Sequence, residues 1–326
     1  MSAIRAGLTA LCCALPCVAA QVAAQGTYPS KPIRFIVAYT TGGLGDTFAR
    51  AMGQHLGQRL GQPVVIENRP GASQVIALEA TAKAPADGHT LVYGTQSGMV
   101  FTTASKKTLP YDPLKDFAAV GMLFTTPFYL LVHPAIPATN VQELIAYIKA
   151  NPHKLSYASV GVGSGQHLAM ELFRSRTDLD IVHVPYKGSA PASVDMISGQ
   201  VQLMFEGPIT SAPSIRSGKL RALGSSGTQR TRAMPNLPTV MESGVPGYDI
   251  STWFGLQTTA GVPRPIIDRL NQVVVQWLLS PETRDKLADK FSLDITTSTP
   301  GEMTERIARE IPIYTKLIRA AGIEPE

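Results

Sequence analysis

Beyond Cys17 the chain contains no cysteine: Cys12, Cys13 and Cys17 are the only three in 326 residues. The remainder can form no disulfide, no thiolate zinc site and no cysteine nucleophile. It also lacks any later apolar run of the length a membrane span requires. Clustered charge is missing as well. Lys and Arg number 29 against 24 Asp and Glu, a net +5 at pH 7, yet no basic cluster exceeds pairs such as Lys106-Lys107. A scattered excess suits solubility and the attraction of anions, whereas nucleic-acid binding needs a basic stripe interleaved with aromatics. Aromatics stand at 7% and charged residues at 16% against 44% hydrophobic, the balance of a packed globular chain, and the length is enough for two domains.

The N-terminal stretch "MSAIRAGLTALCCALPCVAAQVAAQ" has one early charge, Arg5, an apolar run from Ala6 to Ala20, and the small-residue pattern Val22-Ala23-Ala24. These are the parts of a cleavable secretory signal peptide over residues 1–24, with Ala20 the second choice of cleavage site. A lipid-anchored cysteine is the competing reading. None of the three cysteines has a leucine three positions before it, which disfavours that alternative. The expected mature chain starts at Gln25 and is periplasmic.

From there the patterning alternates. "KPIRFIVAY" reads as a strand and "DTFARAMGQHLGQRLG" as an amphipathic helix with Phe48, Met52, His55, Leu56 and Leu60 at helical spacing. "PVVIEN", "SQVIALEATAKA" and "HTLVYGT" continue the β-loop-α rhythm. It resumes with "FYLLVHP", "NVQELIAYIKANP", "LSYASV", "QHLAMELFRSR", "IVHVPY", "PASVDMISGQ" and "VQLMFE". The segment "LPTVMESGVPGYDISTWFGLQTTAGVP" reads as turns rich in Pro, Gly and Ser, before two amphipathic helices at about 264–279 and 300–321. This predicts an α/β protein of two doubly wound, mostly parallel sheets flanked by helices. The expected lobes are 25–127 with 249–326, and 128–248, and the cleft between them is the place for a ligand.

Three turns follow a strand and open a helix: Thr40-Thr41-Gly42-Gly43-Leu44-Gly45-Asp46, Ser159 to Gln166, and Pro185-Tyr186-Lys187-Gly188-Ser189. A helix start leaves N–H groups unpaired and carries partial positive charge; glycines expose those groups and hydroxyls add donors. One such loop in each lobe could clamp a carboxylate, with the Gly163 N–H expected to face it. Asp46 alone reads equally well as an N-cap. Enzyme motifs fit poorly. A nucleophile elbow around Ser164 needs glycine where Val162 and Gln166 stand, and His167 reads as a polar residue of the first helical turn. There is no phosphate-binding P-loop, and "GVGSGQ" fails the dinucleotide fingerprint at its last position. Asp178, Asp180 and His183 read as ordinary polar residues entering a strand, not as a metal site. Tyr248, Trp253 and Phe254 read as interdomain packing rather than a stacking platform.

Several stretches, "VAYTTGGLGDTFAR", "SGQHLAMELF" and "HVPYKGSAPASVDMISGQVQLMF" above all, resemble the periplasmic solute-binding proteins of tripartite tricarboxylate transporters, the Bug family. The resemblance implies a two-lobed Venus-flytrap fold with no enzymatic activity, no cofactor and no metal. It implies a small organic acid as ligand, delivered to a separate membrane permease, by a protein expected to be a monomer with no nucleic-acid partner. Carried over from the family, the ligand-binding positions are Thr40, Thr41, Gly42, Gly43 and Asp46 in the first lobe, and Ser159, Gly161, Gly163, Ser164 and His167 in the second. The chain departs from the family pattern in two loops. Thr40 and Thr41 stand in a loop where prolines are usual, and Ser73-Gln74 where glycines are usual. Specificity is therefore expected from Ser73, Gln74, Thr95, Ser97, Lys187 and Gly207. The alternatives are a sensing role, with the loaded form presented to a membrane sensor, and a hydrolase using Ser164 and His167.

Overall fold

The computed structural model describes residues 28–39, 41, 44–71, 74–186, 188–288, 293–320 and 322. The signal-peptide segment and the positions Thr40, Gly42, Gly43, Ser73 and Lys187 lie outside the described residues. The first strand, β1 (Ile33–Val37), is buried at every position but Arg34, as expected of a strand covered on both faces. It pairs in parallel with β2 (Val64–Asn68) and β3 (Thr90–Thr95). Helices α1 (Leu44–Leu60) and α2 (Val75–Ala82) make the crossovers between these strands. A π-helical turn, Ser97–Phe101, follows β3 and runs into the short α3 (Thr102–Ser105). Then come β4 (Phe117–Pro127) and β5 (Tyr129–Val132), with Phe128 alone between them.

The second sheet is built from β5, β6 (Ser156–Ser159), β7 (Val182–Pro185), β8 (Leu203–Glu206) and β9 (Arg221–Ser225). Its helices are α4 (Val141–Ala150), α5 (Gly165–Thr177), α6 (Ser189–Ser198) and α7 (Pro208–Arg216). The chain returns through β10 (Ser251–Thr259) and closes with α8 (Arg264–Leu278), β11 (Asp294–Ile295) and α9 (Pro300–Ala320). The strand orders are β11-β4-β10-β3-β1-β2 and β7-β6-β8-β5-β9.

Both sheets are mixed, not mostly parallel as the βαβ rhythm predicts. β10 lies antiparallel to both β3 and β4, and β5 antiparallel to both β8 and β9. The reason is topological. The chain leaves the first sheet along β4 and returns along β10, and this pair aligns from Ser251↔Pro127 to Thr259↔Phe117 with two register shifts. β10 falls inside the segment that reads as turns. Its own residues, "STWFGLQTT", favour a pleated surface once a sheet is there to receive them.

Helices α1 and α8 cover one face of the first sheet, with Phe48, Met52, Leu56, Leu270, Val274 and Trp277 in one apolar cluster. Burying each such side chain contributes roughly 1.5–3 kcal/mol. The other face shares a continuous core with the second sheet, running from Leu78 and Phe101 through Phe128 and Trp253 to Phe173 and Phe205. Tyr248 and Trp253 are fully buried in it, while Phe254 stacks on Phe124 at 4.5 Å in the first sheet's own cluster, so all three serve packing. Helix α9 ties the halves together. Its Tyr314 ring meets Phe101 edge-on at 4.7 Å, and its buried Glu310 accepts from Trp253 Nε1 (2.7 Å), Gln96 Nε2 (2.9 Å) and Arg306 Nε (2.7 Å).

Candidate functional site

Because β1 and β3 are parallel in one sheet, and β6, β7 and β8 in the other, each set delivers its following loops to a single edge. Both edges meet. A Cβ placed on Gly163 would lie 3.8 Å from Ser105 Cβ at the end of α3, and one on Gly165 would lie 2.9 Å from Phe128 Cζ. The glycine-rich loop of the second sheet thus abuts an element of the first.

On the first-sheet side Thr41 is exposed. Asp46 is buried, and its carboxylate accepts from Arg50 Nε and Asn68 Nδ2, both at 2.9 Å. It lies inside the first turn of α1 rather than at the N-cap, and ties that turn to Asn68 at the end of β2. Gln74 is buried with φ 78°, and its Nε2 reaches Tyr39 Oη (2.9 Å) and Thr95 Oγ1 (2.7 Å). Gln74 Oε1 is buried without a hydrogen-bond partner. Burial pushes the Tyr39 hydroxyl up to about 12, against the opposing hydrogen bonds from Thr95 and Gln74. Ser97 is half-buried at the first turn after β3, its carbonyl accepting from Thr102 Oγ1.

On the second-sheet side the structure assembles a network that the residue types alone do not announce. Ser164 caps α5, accepting the His167 N–H at 3.3 Å. His167 is 4% exposed, and its Nδ1 accepts the Gly163 N–H at 3.0 Å. The expectation that this N–H faces the cleft does not hold in this conformation, because a buried imidazole nitrogen without another donor takes it. Ser159 Oγ accepts the Gly161 N–H (3.2 Å) and stands 2.7 Å from His183 Nε2. The rings of His167 and His183 stack at 3.9 Å and 9°, and Tyr157 stacks on His183 at 4.8 Å. Burial first, then the His183 and Arg174 charges, hold His167 down at about 3; burial likewise lowers His183. Both rings are neutral at pH 7. Tyr157 Oη donates to Glu171, which also accepts from Arg174 at 2.7 Å. His183 is therefore part of the layer beneath the loop rather than an ordinary strand residue. Asp178, by contrast, is the left-handed C-cap of α5, and Asp180 pairs with His153 at 2.9 Å. Gly207 begins α7 beside open space.

Ser164 and His167 do not form a nucleophile–base pair, since the serine oxygen meets the histidine backbone and the imidazole Nδ1 meets Gly163. Among the described residues no group of three or more His, Cys, Asp or Glu is placed to hold a metal ion, and no helix is long and apolar enough to cross a membrane. A cavity of about 540 Å³ opens elsewhere, beside Thr125, Ser251, Arg232, Asp294 and Arg306. Its lining contains none of the three glycine-rich turns.

Residues 48–323 match the family described as tripartite tricarboxylate transporter family receptor. The chain belongs to this family. BugT of Bordetella pertussis is 37% identical over 306 residues, which is 94% of this chain and 93% of BugT. Among solved structures, R. palustris Rpa4515 with adipate superposes with TM-score 0.79 at 34% identity, covering 92% of this chain and all of that one. MatC from Rhodopseudomonas palustris with bound malate gives TM-score 0.74 at 30% identity, covering 89% and 100%. The receptor family consists of two-lobed periplasmic solute-binding proteins, not enzymes.

Four further residues border the loops. Ser105 carries no motif and is brought to Gly163 only by folding. Tyr39 looked like the end of a strand. His183 could have been paired with His167 only through the register of β6 and β7, where Tyr157 aligns with His183. Glu206 had a visible signal, an acid closing the apolar run "VQLMFE".

Proposed function

We propose that the protein captures a small organic acid in the periplasm and presents it to the membrane permease of a tripartite tricarboxylate-type transporter. What supports the reading most is the meeting of the second sheet's glycine-rich loop, at Gly163, with Ser105 of α3 on the first sheet's side, in a chain of this receptor family. Relatives of the same fold hold adipate and malate, so a mono-, di- or aromatic carboxylic acid is the ligand class. The carboxylate is clamped between the loops of Thr40, Thr41, Gly42 and Gly43 on one side and Ser159, Gly161, Gly163, Ser164 and His167 on the other. Asp46 acts by fixing the first loop. Gln74, Thr95, Ser97 and Gly207, with Ser73 and Lys187, surround the far end of the ligand. The lobes are 25–127 with 249–326, and 128–248, closing about the β4–β5 and β9–β10 crossings as hinged lobes do. The protein acts as a monomer.

A thermal-shift screen of the mature chain against organic acids tests this. A ligand at one hundred times its Kd stabilises by about 2.7 kcal/mol, which for a chain of this size moves the midpoint by roughly 5–10 °C. Carboxylates should shift it and their amides should not, because amidation leaves desolvated donors unpaired. Shifts from sugars or simple amines alone, with none from acids, would overturn the reading.

A further inference from the structure

The receiving edge of the second sheet already contains an acid. Glu206 is the last residue of β8, directly before the helix start at Gly207, and is only 3% exposed. Its Oε1 accepts twice, from the Gly207 N–H at 2.6 Å and from Gln166 Nε2 at 3.4 Å in the first turn of α5. Its Oε2 is buried with no hydrogen-bond partner. The Ser189 hydroxyl, at the first position of α6, stands beside the same carboxyl. Three helix starts thus converge on one side chain. Two of these helix starts border open space, since a Cβ on Gly207 or on Gly188 would meet nothing within 4 Å.

An ionised carboxylate with one buried, unsolvated oxygen is costly. The groups acting on Glu206 from α5, α6 and α7 are Gln166, Ser189 and the Gly207 N–H. Each favours ionisation, none carries a charge, and burial outweighs them and raises the carboxyl. Protonation on Oε2 resolves the arrangement. Oε1 remains an acceptor for two N–H donors, and Oε2–H becomes a donor in want of an acceptor.

We propose that Glu206 is a proton-carrying specificity residue of the cleft, whose neutral carboxyl donates to a carboxylate of the captured acid. The inference rests on the acid-binding reading above and names the protonation state in which that site works. Above the pKa of Glu206 in the free protein, binding draws one proton from solvent onto Oε2, and no other bond is made or broken. Affinity for an acid then falls about tenfold for each pH unit in that range. The arrangement disfavours a ligand ammonium, which would need Glu206 ionised.

The test is calorimetry of the mature protein with adipate, malate, benzoate and aspartate as probes, from pH 5.5 to 8.5, in buffers of differing ionisation enthalpy. For the tightest acid, we expect uptake approaching one proton at the alkaline end. Glu206→Gln keeps an acceptor for Gly207 and supplies an N–H donor. It should bind within about threefold of wild type at pH 5.5, bind more tightly than wild type at pH 8.5, and take up no proton. Infrared difference spectra of the unliganded wild type against Glu206→Gln should show a protonated carboxyl band near neutral pH, a readout that needs no ligand. An ionised Glu206 at that pH, no proton uptake, a pH profile unchanged by Glu206→Gln, or aspartate binding that Glu206→Gln abolishes would each overturn the proposal while leaving acid binding intact. If no acid binds, the acid-binding reading itself falls, and this inference with it.

Discussion

The Gly163 N–H donates to His167 Nδ1 at 3.0 Å, so the backbone of the glycine loop hangs on a buried, neutral imidazole. This contact fixes the tautomer, with the proton on Nε2, and couples the shape of the loop to a residue of the proposed clamp. His167→Asn places an amide oxygen where Nδ1 stood and should keep affinity for the best acid within about threefold. His167→Leu strands the Gly163 donor and should weaken binding about tenfold, as an unpaired buried donor costs roughly 1–3 kcal/mol. Equal affinities for the two folded variants, measured by calorimetry, would remove the contact from the binding mechanism.

The same imidazole makes stability pH-dependent. His167 falls from the ordinary 6.5 to about 3 on folding, and His183 and His55 are also lowered, chiefly by burial. Between those values the unfolded chain binds more protons than the folded one. Stability is therefore complete above pH 6.5 and declines as pH falls toward 3, by at most about 1.4 kcal/mol per unit for each such group. Denaturant midpoints between pH 7 and 5 should drop in the wild type and drop less in His167→Asn. A flat wild-type profile would contradict the buried, neutral pair.

Gly163 has φ +74°, and a side chain there would stand 3.8 Å from Ser105 Cβ across the junction. Gly163→Val meets both the left-handed backbone penalty and the neighbouring Ser105 of α3. Binding should weaken at least tenfold, about 1.4 kcal/mol. A folded variant with wild-type affinity would take this loop out of the site.

Glu310 gathers Trp253, Gln96 and Arg306 behind the crossing strands. Glu310→Ala leaves two buried donors and a guanidinium without their acceptor and should cost about 3–5 kcal/mol of unfolding free energy. Urea titration reads this directly; a loss under 1 kcal/mol would mean water replaces the carboxylate.

The N-terminal segment should be removed in cells, giving a mature form that starts near Gln25, is released by osmotic shock and carries no lipid. N-terminal sequencing that returns Met1, or an acylated Cys17, would refute this.

What the sequence determined by itself was local. Hydrophobic periodicity placed α1, α4, α5, α8 and α9 within a few residues, because an amphipathic stripe is written in consecutive positions. Glycines between strand and helix marked the loop at Gly161–Gly163 for the same reason. Long-range pairing decided the rest. β10 looks like turns until β3 and β4 offer it hydrogen-bond partners on both edges. The sheets are mixed because the chain crosses between them and returns, a property of topology and not of any window of residues. His167 and His183 are polar letters sixteen positions apart in "HLAMELFRSRTDLDIVH", and only the return of the chain through β7 stacks them at 3.9 Å, where neither can hold a proton cheaply. Glu206 is likewise an ordinary acid until three helix starts close over it and water is excluded, because the cost of a charge is set by its surroundings and those are assembled only by the fold.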